Sequence, residues 1–131
     1  MNQKILVVED DGDLRRALTI RLQASGYDVV TAEDGKGAVL TAWAEKPNLV
    51  LLDLGLPGLD GFTVLDDFDT LPGLCNTPVV VLTGRNPGVA EPQARRYGIS
   101  AFLRKPVDND VLLASIAEAL ATGYRPLGTI R

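Results

Sequence analysis

Continuous apolar runs recur along this chain, each only a few residues long and each broken off by polar or turn-forming residues. Ile5-Leu6-Val7-Val8 ends in Glu9-Asp10-Asp11. Leu49-Val50-Leu51-Leu52 ends in Asp53 and the turn Gly55-Leu56-Pro57-Gly58, and Pro78-Val79-Val80-Val81-Leu82 ends in Thr83. Runs this short, without polar alternation, read as strands buried on both faces. Tyr27 to Thr31 and Ala101-Phe102-Leu103 complete a set of five strands over 4–8, 27–31, 49–53, 78–82 and 101–103.

Helical spacing fills the intervals. Leu14, Ala17, Leu18 and Leu22 share one helical face, with Gly26 as the stop. Asp34 is the N-cap of a helix carrying Ala38, Val39, Ala42 and Trp43, which ends before Pro47. A helix over 61–69 presents Phe62, Leu65 and Phe68. Trp43, Tyr27 and Phe62 read as packing residues. Asp108 caps a last helix with Val111, Leu112, Ser115, Ile116, Ala119 and Leu120 inward and Gly123 as its C′ residue. One segment breaks the pattern. Pro92 fits only the first turn of a helix, so the fourth helix either starts near it, over 92–98, or is kinked there. It is expected to be the least stable element.

Strands alternating with helices predict an α/β fold, a parallel sheet with helices on both faces. Parallel strands end on one shared edge, and ligands of such sheets bind in the crevice outside it. Glu9, Asp10, Asp53, Thr83 and Lys105 all fall at or just past a strand's C-terminal end. Carboxylates crowded there need a metal ion or raised pKa values to coexist. Carboxylates and a backbone carbonyl suit Mg²⁺, which prefers oxygen ligands and keeps several waters. Asp53 is then available as a nucleophile toward a phosphoryl group. The Lys105 ammonium and the Thr83 hydroxyl would face the phosphoryl oxygens. Each residue alone has an ordinary reading: acids at a helix start, a solvated lysine, a threonine cap, an aspartate opening a turn. Their coincidence on one edge is what singles them out. Gly35-Lys36-Gly37 lacks the spacing of a phosphate loop.

The rest of the composition narrows the function. A chain of 131 residues suits one domain, and no apolar stretch approaches the ~18 residues of a membrane span. The net charge is −4 with no Lys/Arg patch, which argues against nucleic-acid binding by this domain. The absence of histidine excludes His ligands, His general bases and a histidine phosphodonor in this chain. The single Cys75 forms no internal disulfide and reads as a bystander thiol. With no signal-peptide pattern at the N-terminus, a cytoplasmic setting is expected.

Four blocks carry a family resemblance: Val7-Val8-Glu9-Asp10, Leu52 through Gly61, Val81-Leu82-Thr83-Gly84, and Phe102-Leu103-Arg104-Lys105-Pro106. In this order and spacing the chain, over roughly residues 3–122, resembles the CheY-like receiver domain of two-component response regulators. The resemblance implies a flavodoxin-like, doubly wound five-stranded parallel sheet of order 2-1-3-4-5. It implies Asp53 as phosphoacceptor, Asp10 as direct Mg²⁺ ligand, the Gly55 carbonyl as a further ligand, and Glu9 acting through water. Asp11 is then a surface acid, with either it or Asp13 capping the first helix. Thr83 and Lys105 contact the phosphoryl group, Thr83 and Phe102 form a coupled switch, and Pro106 is a cis-peptide candidate. The partner implied is a histidine kinase or histidine phosphotransfer protein, and the output surface is the face of the fourth helix, fifth strand and fifth helix. Gly55 leaves the site without a shielding side chain, and Arg85 is placed to reach over it.

Two other functions compete. An Asp-nucleophile phosphatase of the haloacid dehalogenase kind needs a second Asp two residues on, where this chain has Gly55. A degenerate receiver, serving only for interaction or dimerisation, would not need an intact set of pocket residues. Residues 1–122 form the expected domain. Residues 123–131 read as a tail or the start of a linker, too few for an effector, so the chain reads either as a stand-alone receiver or as a receiver cut from a longer protein, and a tail without an obvious end signal favours the second.

Overall fold

The computed structural model describes residues 2–56, 60–84 and 86–122. The expectations for Pro57, Gly58, Arg85, Gly123 and the tail lie outside those residues. Strands and helices alternate strictly: β1 (Lys4–Val8), α1 (Gly12–Ala24), β2 (Asp28–Ala32), α2 (Gly35–Glu45), β3 (Leu49–Leu52), α3 (Gly61–Thr70), β4 (Val79–Thr83), α4 (Pro87–Arg95), β5 (Ala101–Arg104) and α5 (Asn109–Thr122). The sheet order is β2-β1-β3-β4-β5, with every pair parallel.

Strand periodicity sorts the core into two layers. Leu6, Val8, Val50, Leu52, Val79 and Val81 point to one face, where they meet Ala38 and Ala42 of α2, Val64, Leu65 and Phe68 of α3, and Ala90 and Ala94 of α4. Ile5, Val7, Leu49, Leu51, Val80 and Leu82 point to the other, against Leu18 and Leu22 of α1 and Leu112, Ile116 and Ala119 of α5. Both faces are covered, so the runs need no polar alternation. Each fully buried Leu or Val stabilises the fold by about 1.5–3 kcal/mol relative to exposure.

Short polar side chains start four of the helices. Asp11 caps α1, accepting from the amides of Asp13 (3.0 Å) and Leu14 (3.2 Å), so Asp11 and not Asp13 has that role. Asp34 caps α2 and Asp60 caps α3. Asn86 caps α4 through the Gly88 amide at 2.9 Å. At the other end of α1, Gly26 takes φ +93°, a conformation that favours glycine.

Several local expectations are corrected. Of the two alternatives for the fourth helix, the start near Pro92 is ruled out: α4 begins at Pro87, because the Asn86 cap starts it and a proline at its first position has no N–H in need of a partner. Pro92 lies inside α4 and removes the bond to the Gly88 carbonyl. β2 runs one residue later than expected: the Tyr27 amide still donates to Leu22 at the end of α1 (3.1 Å), and the ladder starts with the Asp28 amide on Gln3 (2.9 Å). Trp43 is 52 % exposed and Val111 47 % exposed, so neither packs inward as read. Each neighbours a buried position, Ala42 or Leu112, and one residue along a helix is about 100° around it, outside the stripe that faces the core.

Gly61 joins the fold to the functional edge. Its amide donates to the Leu54 carbonyl at 3.1 Å, and a Cβ on it would stand 2.4 Å from Leu54 Cα and 2.9 Å from Leu54 O. Those are backbone atoms of the segment after β3, so no rotamer change relieves the clash. Gly61→Ala is expected to destabilise by about 1–3 kcal/mol, as overpacking does, read from urea denaturation midpoints. Amide exchange over residues 88–95 is expected to be faster than in α1 or α5, because Pro92 removes a hydrogen bond. Equal protection would contradict that.

Candidate functional site

Three residues just past strand ends are each held by one further ladder bond to a neighbouring strand's last residue. The Glu9 amide donates to Ala32 of β2 (3.1 Å), the Asp53 amide to Val8 of β1 (3.1 Å), and the Lys105 amide to Thr83 of β4 (2.9 Å). Their backbones are therefore as fixed as the sheet, and their side chains project over its C-terminal edge. Asp10 follows Glu9 and is exposed, whereas Glu9, Asp53 and Thr83 are buried.

Lys105 lies between the two buried acids. Its Nζ is 2.6 Å from Glu9 Oε1 and 3.0 Å from Asp53 Oδ2. The remaining carboxylate oxygens are also engaged: Asp53 Oδ1 accepts from the Gly55 amide (3.0 Å) and Glu9 Oε2 from the Asp11 amide (3.1 Å). Burial pushes the Glu9 carboxyl above its ordinary 4.5, and the opposing hydrogen bonds from Lys105 and the Asp11 amide do not cancel it. Burial works against the Lys105 ammonium, but hydrogen bonds to Glu9 and Asp53 outweigh it, so Lys105 titrates above its ordinary 10.5.

Carboxylate oxygens of Glu9, Asp10 and Asp53 lie within 4.8 Å of one another. An all-oxygen group of this size, two buried carboxylates and one exposed, suits a hard divalent cation. The residues therefore fit Mg²⁺.

Thr83 closes β4, opposite Arg104 in register, and Phe102 lies opposite Val81. Phe102 packs half-buried on the layer that holds α4, one alternation down the sheet from Thr83. The Lys105–Pro106 peptide is cis. Gly55 is exposed, next to Asp53 through its amide. Asp108 precedes α5, its carbonyl accepting the Leu112 amide at 3.0 Å. Arg85 lies outside the described residues. Arg15 was not singled out in the sequence, yet its Nη1 donates to the Glu9 carbonyl at 2.9 Å. Its signal was its position four residues after the cap Asp11, one helical turn from the acidic loop.

The response regulator receiver domain family model matches residues 5–117. The chain belongs to the response regulator receiver domain family. This receiver domain is 38 % identical over 116 residues to the transcriptional regulatory protein KdpE of Mycobacterium tuberculosis, covering 88 % of the chain and 50 % of KdpE. It thus spans about half the length of that relative. It is 34 % identical to protein PilH of Pseudomonas aeruginosa, covering 90 % of the chain and 98 % of PilH. Among solved structures, the receiver domain of the sensor histidine kinase PA1611 of Pseudomonas aeruginosa superposes with a TM-score of 0.84 at 25 % identity, covering 92 % of this chain and 99 % of that one. That neighbour has a magnesium ion coordinated in its active-site cleft. The two-component receiver identity and the CheY-like sheet order expected from the sequence both hold.

The Lys105 contacts generate a pH prediction for the metal-free receiver. The ammonium's stabilisation is complete below about 10.5 and is lost as pH rises through its higher folded value. Glu9, also raised, has the same sign in a lower window: the stability of its protonated form is complete below 4.5 and is lost as pH climbs through its higher folded value. Lys105→Met leaves two buried acids facing each other and is expected to cost about 1–3 kcal/mol at neutral pH. The gap to wild type should narrow toward pH 4.5, and again above 10.5 as the wild-type ammonium is lost. Urea denaturation across pH checks it; a pH-independent gap would contradict the pairing.

Proposed function

We propose that Asp53 is the phosphoacceptor of this receiver and takes a phosphoryl group from the phosphohistidine of a histidine kinase or histidine phosphotransfer protein. The observation that carries this is the buried Asp53 carboxylate, with Lys105 at Oδ2 and the Gly55 amide at Oδ1, beside two further acids. An Asp53 oxygen forms the new bond to phosphorus, the P–N bond to the donor imidazole breaks, and its electron pair stays on the nitrogen. Asp10, Asp53 and the Gly55 carbonyl would hold Mg²⁺ directly and Glu9 through water. Bound there, Mg²⁺ neutralises charge on the phosphoryl oxygens. Lys105 supplies a second positive charge and Thr83 a hydroxyl donor. The exposed Gly55 leaves the acyl phosphate open to water, so autodephosphorylation runs in the same site. This chemistry is confined to the chain's own aspartate; receiver domains are regulatory modules rather than enzymes of diffusible substrates.

Phosphorylation adds about −1.5 to −2 charge at pH 7. That charge draws the Thr83 hydroxyl and the Lys105 ammonium toward Asp53, and Phe102 follows Thr83 inward. The shared layer beneath α4 carries the change to the face of α4, β5 and α5, where an effector domain or output protein is controlled. Residues 1–122 form the receiver unit. No described helix is long and apolar enough to cross a membrane, and a cytoplasmic setting suits a kinase partner.

Incubation with acetyl phosphate and Mg²⁺ is expected to add the mass of one phosphoryl group. The adduct should be absent in Asp53→Ala and in EDTA. Equal modification of Asp53→Ala would overturn the assignment; no modification and no Mg²⁺ binding in wild type would leave an interaction module.

A further inference from the structure

Arg15 lies in the first turns of α1 with its side chain only 20 % exposed. Its Nη1 donates to the Glu9 carbonyl at 2.9 Å and reaches the Asp10 carbonyl at 3.5 Å. Its Nη2 is 3.3 Å from Glu33 Oε1, in the segment that follows β2. One guanidinium therefore ties together the chain segments that leave two adjacent strands. Glu9 is held from both sides, its amide on Ala32 at 3.1 Å and its carbonyl on Arg15. The Glu9 carboxylate in turn accepts the Asp11 amide at 3.1 Å, so the Glu9-Asp10-Asp11 backbone is restrained by the guanidinium on one side and a carboxylate on the other.

We propose that Arg15 is a positioning residue for the acidic site: it fixes the backbone from which the Glu9 and Asp10 carboxylates converge on Asp53. Nothing it touches is a reacting atom; it works through the two carbonyls. The planar fork matters as well as the charge, because one end reaches the carbonyls while the other reaches Glu33. A lysine keeps the charge behind the acids but offers a single point donor that spans one of the two loops at a time. The inference rests on the reading that Asp10 and Asp53 hold Mg²⁺, and it deepens that reading by naming what orients the ligands.

Two readouts separate the inference from that reading. In Mg²⁺ titrations followed by amide NMR, Arg15→Ala is expected to weaken binding roughly ten-fold, as loss of a group that orients metal ligands does, with Arg15→Lys recovering part of the loss. In the metal-free protein, the Asp11 amide is expected to exchange faster in Arg15→Ala than in wild type, while the amides of β3 and β4 keep their protection. A merely structural role would lower protection throughout and leave Mg²⁺ affinity in the folded fraction unchanged. Wild-type Mg²⁺ affinity and wild-type Asp11 exchange in Arg15→Ala would overturn the proposal. If wild type binds no Mg²⁺, the metal reading fails, and the positioning role is decided by the Asp11 exchange alone. Should Arg15→Ala not fold, Arg15→Lys carries the same two comparisons.

Discussion

Parallel strands have to be joined by crossovers, and that requirement sends every strand's C-terminal end to the same edge of the sheet. The order β2-β1-β3-β4-β5 then puts β1 and β3 side by side at the centre, with β4 next to β3. Glu9 and Asp53 become neighbours although 44 residues separate them in number (53 − 9). Lys105, beyond β5, reaches both. The site is a consequence of strand order, and its precision comes from the extra ladder bonds to Ala32, Val8 and Thr83.

The same edge concentrates electrostatic strain. Two buried carboxylates and an exposed third share a few ångströms, and one ammonium offsets them. Such a cluster is poorly suited to stability and well suited to receiving a cation or a phosphoryl group, which is the usual tension at a functional site. The β3–α3 connection adds a steric element. Gly61 approaches Leu54 too closely for any side chain, and its amide on the Leu54 carbonyl at 3.1 Å ties the start of α3 to the segment carrying Asp53 and Gly55.

Much of this was legible from residues alone. Unbroken apolar runs marked the strands because burial on both faces removes polar alternation, and the polar residue ending each run marked the edge. What escaped were features set by the angular position of a side chain or by a local contact. Trp43 and Val111 look like core residues by type, but each falls about 100° off its helix's buried stripe. The start of α4 depended on the Asn86 cap rather than on Pro92. Arg15 went unremarked, because two backbone carbonyls as its partners leave no trace in composition.

By itself the sequence determined the layers, the alternation and the identity of the acids, lysine and threonine at the strand ends, since hydrophobic patterning is a local property of the chain. The tertiary structure alone decided which of those groups meet. Lys105 contacts Glu9 and Asp53 together, Asp11 rather than Asp13 caps α1, and Arg15 spans two loops. These are matters of distance between residues far apart in the chain or of rotamer within a turn. Only the packed parallel sheet, by fixing both backbones at once, sets them to within hydrogen-bonding reach.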